Sequence, residues 1–159
     1  MKFETVILVI IWILMAILLW RLVPRHKIID AHISFLFMQV ITWLFGTLVV
    51  ENRLIKYPVR FLDYAYKASF SFEYYLYPSI SVIFNLYFPK NHSWMSKFFY
   101  SVSYPTVITV IEVLLEKYTD LITYIHWTWY WSWITLLVTL LISYRYYIWF
   151  LKKIKRDNI

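Results

Sequence analysis

Five stretches of this chain consist almost entirely of apolar residues, and short polar segments separate them. A helix needs about 20 mostly apolar residues to cross a bilayer, and each stretch reaches or approaches that length. No small-residue cleavage site follows the first stretch, so we expect it to be retained as a span rather than removed as a signal peptide. The pattern therefore predicts an all-α polytopic transmembrane helical bundle, a single integral membrane domain with about five spans at residues 5–20, 33–50, 68–88, 98–115 and 131–151.

The segment between the second and third stretches, residues 51–67, has a different pattern. It alternates aromatic and aliphatic residues with charged ones, and Pro58 prevents one uninterrupted helix through it. A segment of this kind is suited to the membrane–water boundary. We expect an interfacial loop that lies in the headgroup layer or folds back over the bundle.

Composition strengthens the membrane interpretation and removes several classes of function. The chain is 62% hydrophobic, whereas a soluble domain is about half apolar at most. It has no cysteine and only one glycine, which excludes disulfides, thiolate metal sites and glycine-rich nucleotide-binding loops. The four histidines lack paired ligand spacing, and the serines form no recognisable nucleophile–base set. We therefore predict no cofactor, no metal and no catalytic residue.

The net charge of +7 does not indicate nucleic-acid binding, because the basic residues flank the apolar stretches. Ten Lys and Arg residues fall in the first and third loops and from Arg145 to the C-terminus, against six in the remaining segments. Cytoplasmic segments carry the excess of Lys and Arg. The chain is therefore expected in the cell membrane, with the N-terminus outside and the C-terminus in the cytoplasm. Expected partners are the bilayer, anionic lipids at the basic C-terminal tail, and a second copy or another membrane protein.

Three ionisable residues lie inside the apolar stretches: Glu73, Glu112 and Arg145. Charges inside a membrane are costly, and they usually mark functional sites. With a rise of about 1.5 Å per residue, Glu73 and Glu112 lie roughly 8 and 5 Å from the outer ends of their spans. Arg145 lies toward the other side, near the level of Asn85, and we predict that these two form an inner-side anchor.

The two carboxylates are therefore predicted to share one outer-side polar cluster. Arg60 is the preferred partner, because a guanidinium can bind a carboxylate through two hydrogen bonds. If no cation is near, one carboxyl of a close pair should hold a proton, as expected for Glu112 and Glu116 one helical turn apart. The predicted ligand-binding or structural cluster comprises Glu51, Arg53, Arg60, Glu73, Glu112, Glu116, Tyr124 and His126.

Two prolines lie inside the predicted spans, Pro78 and Pro105. Each removes a backbone hydrogen bond and can kink its helix, which frees the carbonyls of Tyr74 and Ser101. The aromatic residues of the run 126–133 indicate a belt at the membrane–water boundary.

Several short motifs carry a resemblance over about residues 50–150. They are Tyr57-Pro58-Val59-Arg60, Ser71-Phe72-Glu73-Tyr74 with Tyr77-Pro78, Glu112 with Glu116 and Thr119, Leu121-Ile122-Thr123-Tyr124, and Trp127-Thr128-Trp129. Together they resemble an uncharacterised family of small multi-pass membrane proteins of spore-forming Gram-positive bacteria. Members of that family often have Asp where this chain has Glu73. The resemblance implies a helical protein of the bacterial cytoplasmic membrane and no particular activity.

The sequence favours a non-enzymatic integral membrane protein whose outward-facing polar site binds a partner, a lipid headgroup or a small ligand. One alternative is a small transporter, channel or lipid-moving protein that uses Glu73 and Glu112. A second alternative is a membrane-embedded enzyme in which the two carboxyls perform acid–base chemistry. The cluster could also be a structural ion-pair network that fixes the second loop to the bundle.

Overall fold

The computed structural model describes the backbone of residues 3–157 and the side chains of residues 3–154. It is an all-α helical bundle, as the sequence predicts, with two very short strands at one end. Its elements in chain order are α1 (Phe3–Leu22), a 3-10 turn (Arg25–Lys27), α2 (Ile28–Glu51), β1 (Ile55–Lys56), a π-helical turn (Ser71–Leu76), α3 (Tyr77–Leu86), α4 (Trp94–Tyr118), β2 (Thr123–Tyr124) and α5 (Trp129–Asp157).

Four of the described helices, α1, α2, α4 and α5, are long and apolar enough to cross a membrane, which indicates an integral membrane protein. The predicted third span is different, because it consists of the π-helical turn and the 10-residue helix α3. Buried polar residues, among them Ser79, Ser81 and Asn85, occupy α3. Helix α3 is therefore an internal element packed among the other helices rather than a fifth long apolar helix.

Hydrogen bonds along α3 show that α1 runs in the same direction. Trp12 Nε1 donates to Ser71 Oγ at 3.0 Å, and at the other end the Tyr87 hydroxyl donates to the Leu22 carbonyl at 2.7 Å. The middle of α1 thus meets the start of the helical segment, and the end of α1 meets its end.

Helix α5 also runs parallel to α3, and polar side chains bond the two helices together. The Tyr77 hydroxyl donates to the Leu136 carbonyl at 2.8 Å and lies 2.8 Å from Thr139 Oγ1. About two turns further along α3, Asn85 Nδ2 donates to Ser143 Oγ at 3.0 Å. Hydroxyl and amide groups commonly join helices inside membranes in this way. These bonds explain why a polar α3 can occupy the centre of the bundle.

Helices α2 and α4 run in the opposite direction to the other three. On α4, Glu112 lies beside Ser132 at the start of α5, and Tyr100 lies beside Phe84 at the end of α3. The first turn of α1 and the last turn of α5 therefore lie at opposite ends of the bundle. Which side of the membrane each end faces stays a prediction.

Two loops, residues 52–69 and 119–128, join to form a cap over one end of the bundle. Strand β1 pairs antiparallel with β2, with Ile55 opposite Tyr124. The Val59 amide extends the contact by donating to the Asp120 carbonyl at 3.0 Å. The cap covers the end where α2 and α4 finish and where the π-helical turn and α5 begin.

Candidate functional site

The π-helical turn places Glu73, and Pro78 explains where the turn forms. Proline has no amide hydrogen, so Tyr74 loses its usual helical donor at residue 78. The side chain of Gln39 on α2 replaces it, with Nε2 donating to the Tyr74 carbonyl at 2.9 Å. The carbonyl that the sequence predicted to be freed is thus bonded to a neighbouring helix.

A second carbonyl in the turn is also bonded to α2. The Tyr77 amide bonds to the Phe72 carbonyl, five residues back, and thereby leaves the Glu73 carbonyl free. Thr42 Oγ1 donates to that carbonyl at 2.7 Å. Two side chains of α2 therefore fix the turn, and short π-helical segments often occur at functional sites.

The Glu73 side chain is buried, with 2% of its surface exposed. Its Oε2 accepts a hydrogen bond from the Tyr66 hydroxyl of the cap, whereas its Oε1 has no hydrogen-bond partner. The carboxyl lies against Gly46 of α2, where an added Cβ would overlap it. The single glycine of the chain thus provides the space that a buried carboxyl requires.

Glu112 reaches the same region from α4. The Tyr124 hydroxyl and Ser132 Oγ both donate to its Oε1, each at 2.6 Å. Trp127 Nε1 in turn donates to Ser132 Oγ at 2.8 Å. The bonds from Tyr124 and Ser132 both end on Glu112 Oε1. Glu112 Oε2 has no hydrogen bond to the residues that the structure describes.

Both carboxyls line one cleft of about 530 Å³ between α2 and α5, beneath the cap. Apart from these carboxyls and a few hydroxyls, its walls are mostly apolar. Phe45 of α2 and Trp131 of α5 border it, and each is 48% exposed. Because both residues lie on the outer surface of the bundle, the cleft opens sideways between the two helices. The remaining apolar wall includes Ile41, Val49, Leu54, Phe72 and Leu136.

Tyr57 of the cap lies near both carboxyls and lines the same cleft. Its hydroxyl makes no hydrogen bond within the described part of the chain. Burial raises the pKa of Tyr57 well above its usual value, and negative charge on Glu73 and on Glu112 raises it further. Tyr57, Glu73 and Glu112 therefore all line one space, and the unbonded Glu73 Oε1 is itself buried against Gly46.

A second cavity of about 270 Å³ lies on the other side of this polar wall, between α1, α3 and α4. It shares Tyr57, Phe72 and Glu112 with the cleft. Its other walls are largely aliphatic and include Leu8, Met15, Leu76, Ile108 and Leu115. Glu112 is therefore accessible to two apolar spaces.

Arg60 does not contact either carboxyl, contrary to the predicted pairing. Its guanidinium donates to three backbone carbonyls of its own loop, those of Tyr57, Asp63 and Tyr66, at 2.7 to 2.8 Å. Arg60 therefore acts on the site indirectly, because two of these residues are Tyr66, which donates to Glu73, and Tyr57, which lines the cleft.

The other predicted cluster residues are less closely involved. Glu51 and Arg53 are exposed, and Glu116 is half-buried without a hydrogen bond among the described residues. Tyr124 is a direct partner of Glu112, and His126 is exposed and borders the cleft. The described residues contain no group of three or more His, Cys, Asp or Glu arranged to hold a metal ion.

Arg145 and Asn85 lie at a similar level but do not bond to each other. Asn85 is fully buried and bonded to Ser143, while Arg145 is exposed on the outer face of α5. The positions suit an anchor at the bundle surface for Arg145 and a packing role for Asn85.

Four residues of the site were not predicted from the sequence, namely Gly46, Tyr57, Tyr66 and Ser132. Gly46 offered a signal, because a lone glycine inside a helical stretch often marks a close approach. The tyrosines and the serine gave none, since their roles depend on how the cap folds.

Comparison with known proteins gives no family assignment: no protein-family model, curated protein sequence or solved structure matches this chain. The resemblance to the family of small multi-pass membrane proteins stays a prediction. The function is therefore argued from the geometry of the site.

Proposed function

We propose that this protein is a non-enzymatic integral membrane protein that binds an amphipathic ligand in the cleft between α2 and α5. The observation that carries the proposal is the cleft itself, a mostly apolar space that opens sideways and is lined by two carboxyls, Glu73 and Glu112. Ligand pockets commonly combine apolar walls with a few convergent polar groups. The apolar part of the ligand would occupy the sideways opening, and its polar group would reach Glu73 and Glu112.

A purely structural ion-pair network has less support. Such a network needs a cation beside each carboxylate, yet neither Glu73 nor Glu112 has a Lys or Arg partner among the residues that the structure describes. Arg60, the predicted partner, instead donates to three backbone carbonyls of its own loop.

The size of the cleft also supports a ligand. A cavity of about 530 Å³ falls within the range of small-molecule sites, roughly 300–1,000 Å³. A lateral opening between two membrane helices lets a lipid-like molecule enter from the bilayer without crossing the cap.

Filling the cleft tests the proposal. Thr135 on α5 lines the cleft, whereas Val138, three residues later, is exposed and lines neither cavity. We expect native mass spectrometry of the detergent-solubilised protein, with added phosphatidylethanolamine and phosphatidylglycerol, to show one retained lipid for the wild type and for Val138→Trp. Thr135→Trp should lose it. Equal retention by all three proteins would contradict a ligand site in this cleft.

A further inference from the structure

We propose that the second cavity, between α1, α3 and α4, holds the end of an acyl chain of a bilayer lipid. This site is separate from the cleft between α2 and α5 and does not depend on a ligand there. The cavity has a volume of about 270 Å³. Apolar cavities of about 150 Å³ inside proteins already stay dry and bind small apolar molecules, so this larger one can take part of a hydrocarbon chain.

Two apolar helix stripes form the long walls of the cavity. They consist of Leu8, Ile11 and Met15 on α1 and of Ile108, Ile111 and Leu115 on α4. The two stripes have the same spacing, which places their residues on one face of each helix. Each stripe covers two helical turns, so the walls are roughly 10 Å long. Leu8 and Met15 are also the buried residues of α1, which means that the inward face of this helix borders a space rather than a packed helix.

Trp12 explains why α1 leaves this space beside α4. Its indole N–H donates to Ser71 Oγ at 3.0 Å, and its ring stacks on Tyr75 with the ring centroids 4.2 Å apart. The Tyr75 hydroxyl donates in turn to the Trp12 carbonyl at 3.3 Å. These contacts hold the middle of α1 against the π-helical turn, and α1 packs on that turn and on α3.

The lining selects hydrocarbon, because its polar groups are mostly bonded within the protein. Ser71 Oγ accepts the bond from Trp12, and Ser69 Oγ accepts one from the Phe72 amide at 3.3 Å. Glu112 Oε1 accepts two hydroxyl groups from the side of the cap and α5. The rest of the wall is largely aliphatic, and its atoms lack dispersion partners as long as the space is empty. An acyl chain supplies those partners and needs no hydrogen bond.

The position of the cavity identifies the source of the chain. Leu121 and Ile122 of the cap, each 7% exposed, line the cavity toward the capped end. Ile111 of α4 lines it as well and is 50% exposed, so the cavity opens sideways at the surface of the bundle. The stripe on α1 occupies the middle of a helix that is long and apolar enough to cross a membrane. At that depth the surrounding medium is the hydrocarbon of the bilayer.

The test uses the full-length protein in nanodiscs, because a detergent chain could replace the lipid chain in micelles. The nanodiscs contain phosphatidylcholine with a photoactivatable diazirine near the end of one acyl chain. After irradiation, mass spectrometry maps the residues that carry lipid adducts. We expect adducts on the buried Leu8 and Met15 as well as on the exposed Ile13 and Leu14 of the same helix. Adducts confined to the exposed residues of α1 would overturn the proposal.

A cavity-filling substitution with a matched neighbour links the adducts to the site. Leu115 lines the cavity, whereas Leu114 is 51% exposed and lines neither the cavity nor the cleft. Leu115→Trp should lose the adducts on Leu8 and Met15 and keep those on exposed residues, and Leu114→Trp should keep both. Equal adducts on Leu8 and Met15 in the two variants would contradict a chain inside the cavity.

A second pair approaches the cavity from α1, in case Leu115→Trp fails to fold. Ile11→Trp fills the same space, and the exposed Ile10 provides its control as Ile10→Trp. Thr135→Trp fills the cleft alone and should leave the adducts on Leu8 and Met15 unchanged. Loss of these adducts in Thr135→Trp would show that the two spaces are not separate sites and would overturn the inference. Failure of the cleft to retain a lipid would contradict only the proposed function.

Discussion

At the scale of single residues, the contact between Gly46 and Glu73 explains two unusual features of the chain together. Gly46 is the only glycine, and Glu73 is a buried acid without a cation among the described residues. Any side chain at position 46 would overlap the Glu73 carboxyl. Glycine normally weakens a helix by about 1 kcal/mol relative to alanine, so its presence inside α2 needs a compensating reason. The buried carboxyl provides that reason.

Gly46→Ala should therefore destabilise the protein, even though alanine is the better helix former. The added methyl group has no free space, and overpacking typically costs about 1–3 kcal/mol. Unfolding in mixed micelles with increasing sodium dodecyl sulfate measures the change in the free energy of unfolding.

The matched control removes the other partner of the overlap. In a Glu73→Ala background, Gly46→Ala should cost much less or become stabilising, because the carboxyl is gone. Residues in contact show such non-additive effects, whereas independent residues do not. An equal cost in both backgrounds would mean that the overlap does not determine the role of Gly46.

Individual residues also show where sequence analysis succeeds. Glu73 and Glu112 were identified because acids inside apolar stretches are rare. The prediction that the two carboxylates lie at a similar depth along the bundle followed from the helical rise per residue alone. Their partners were not predictable in the same way. Tyr66, Tyr124 and Ser132 donate to them only because the cap folds over the bundle, and Arg60 binds backbone carbonyls that no pattern marks.

At the scale of elements, the helical segment from the π-helical turn through α3 is the part that positions the site. The sequence predicted a helix here and a proline effect at Tyr74. It also predicted a third span at residues 68–88, where the structure has the π-helical turn Ser71–Leu76 followed directly by α3, Tyr77–Leu86. Helix α3 carries several buried polar residues, and two of its side chains, Tyr77 and Asn85, are hydrogen-bonded to α5.

The bond from Gln39 to Tyr74 gives a test of this element. Gln39→Leu leaves the Tyr74 carbonyl without its donor, and an unsatisfied buried acceptor costs about 1–3 kcal/mol. In a Pro78→Ala background, the new amide at position 78 can supply the missing bond. We therefore expect Gln39→Leu to cost less there, as measured by the free energy of unfolding in mixed micelles. The same cost in both backgrounds would show that Pro78 is not the reason for the contact.

At the scale of the whole molecule, the bundle and the cap contribute different parts of the site. Helices α2 and α5 provide an apolar space, α4 and the π-helical turn provide the carboxyls, and the cap provides the tyrosines that orient them. The apolar pattern predicted the long helices well, because membrane-spanning helices are recognisable from the length and composition of their apolar stretches. The cleft depends on packing between distant segments, so it could not be read from that pattern.

The most direct test of the account uses the absence of native cysteine. Single cysteines are introduced at Thr135, inside the cleft, and at Val138 as the matched position outside it. The rate of alkylation by N-ethylmaleimide is then measured with and without 1-dodecanol, an amphiphile that does not react with the maleimide. We predict that 1-dodecanol slows alkylation at position 135 and leaves the rate at position 138 unchanged. Equal rates with and without 1-dodecanol at position 135, or equal slowing at both positions, would contradict a ligand-binding cleft between α2 and α5.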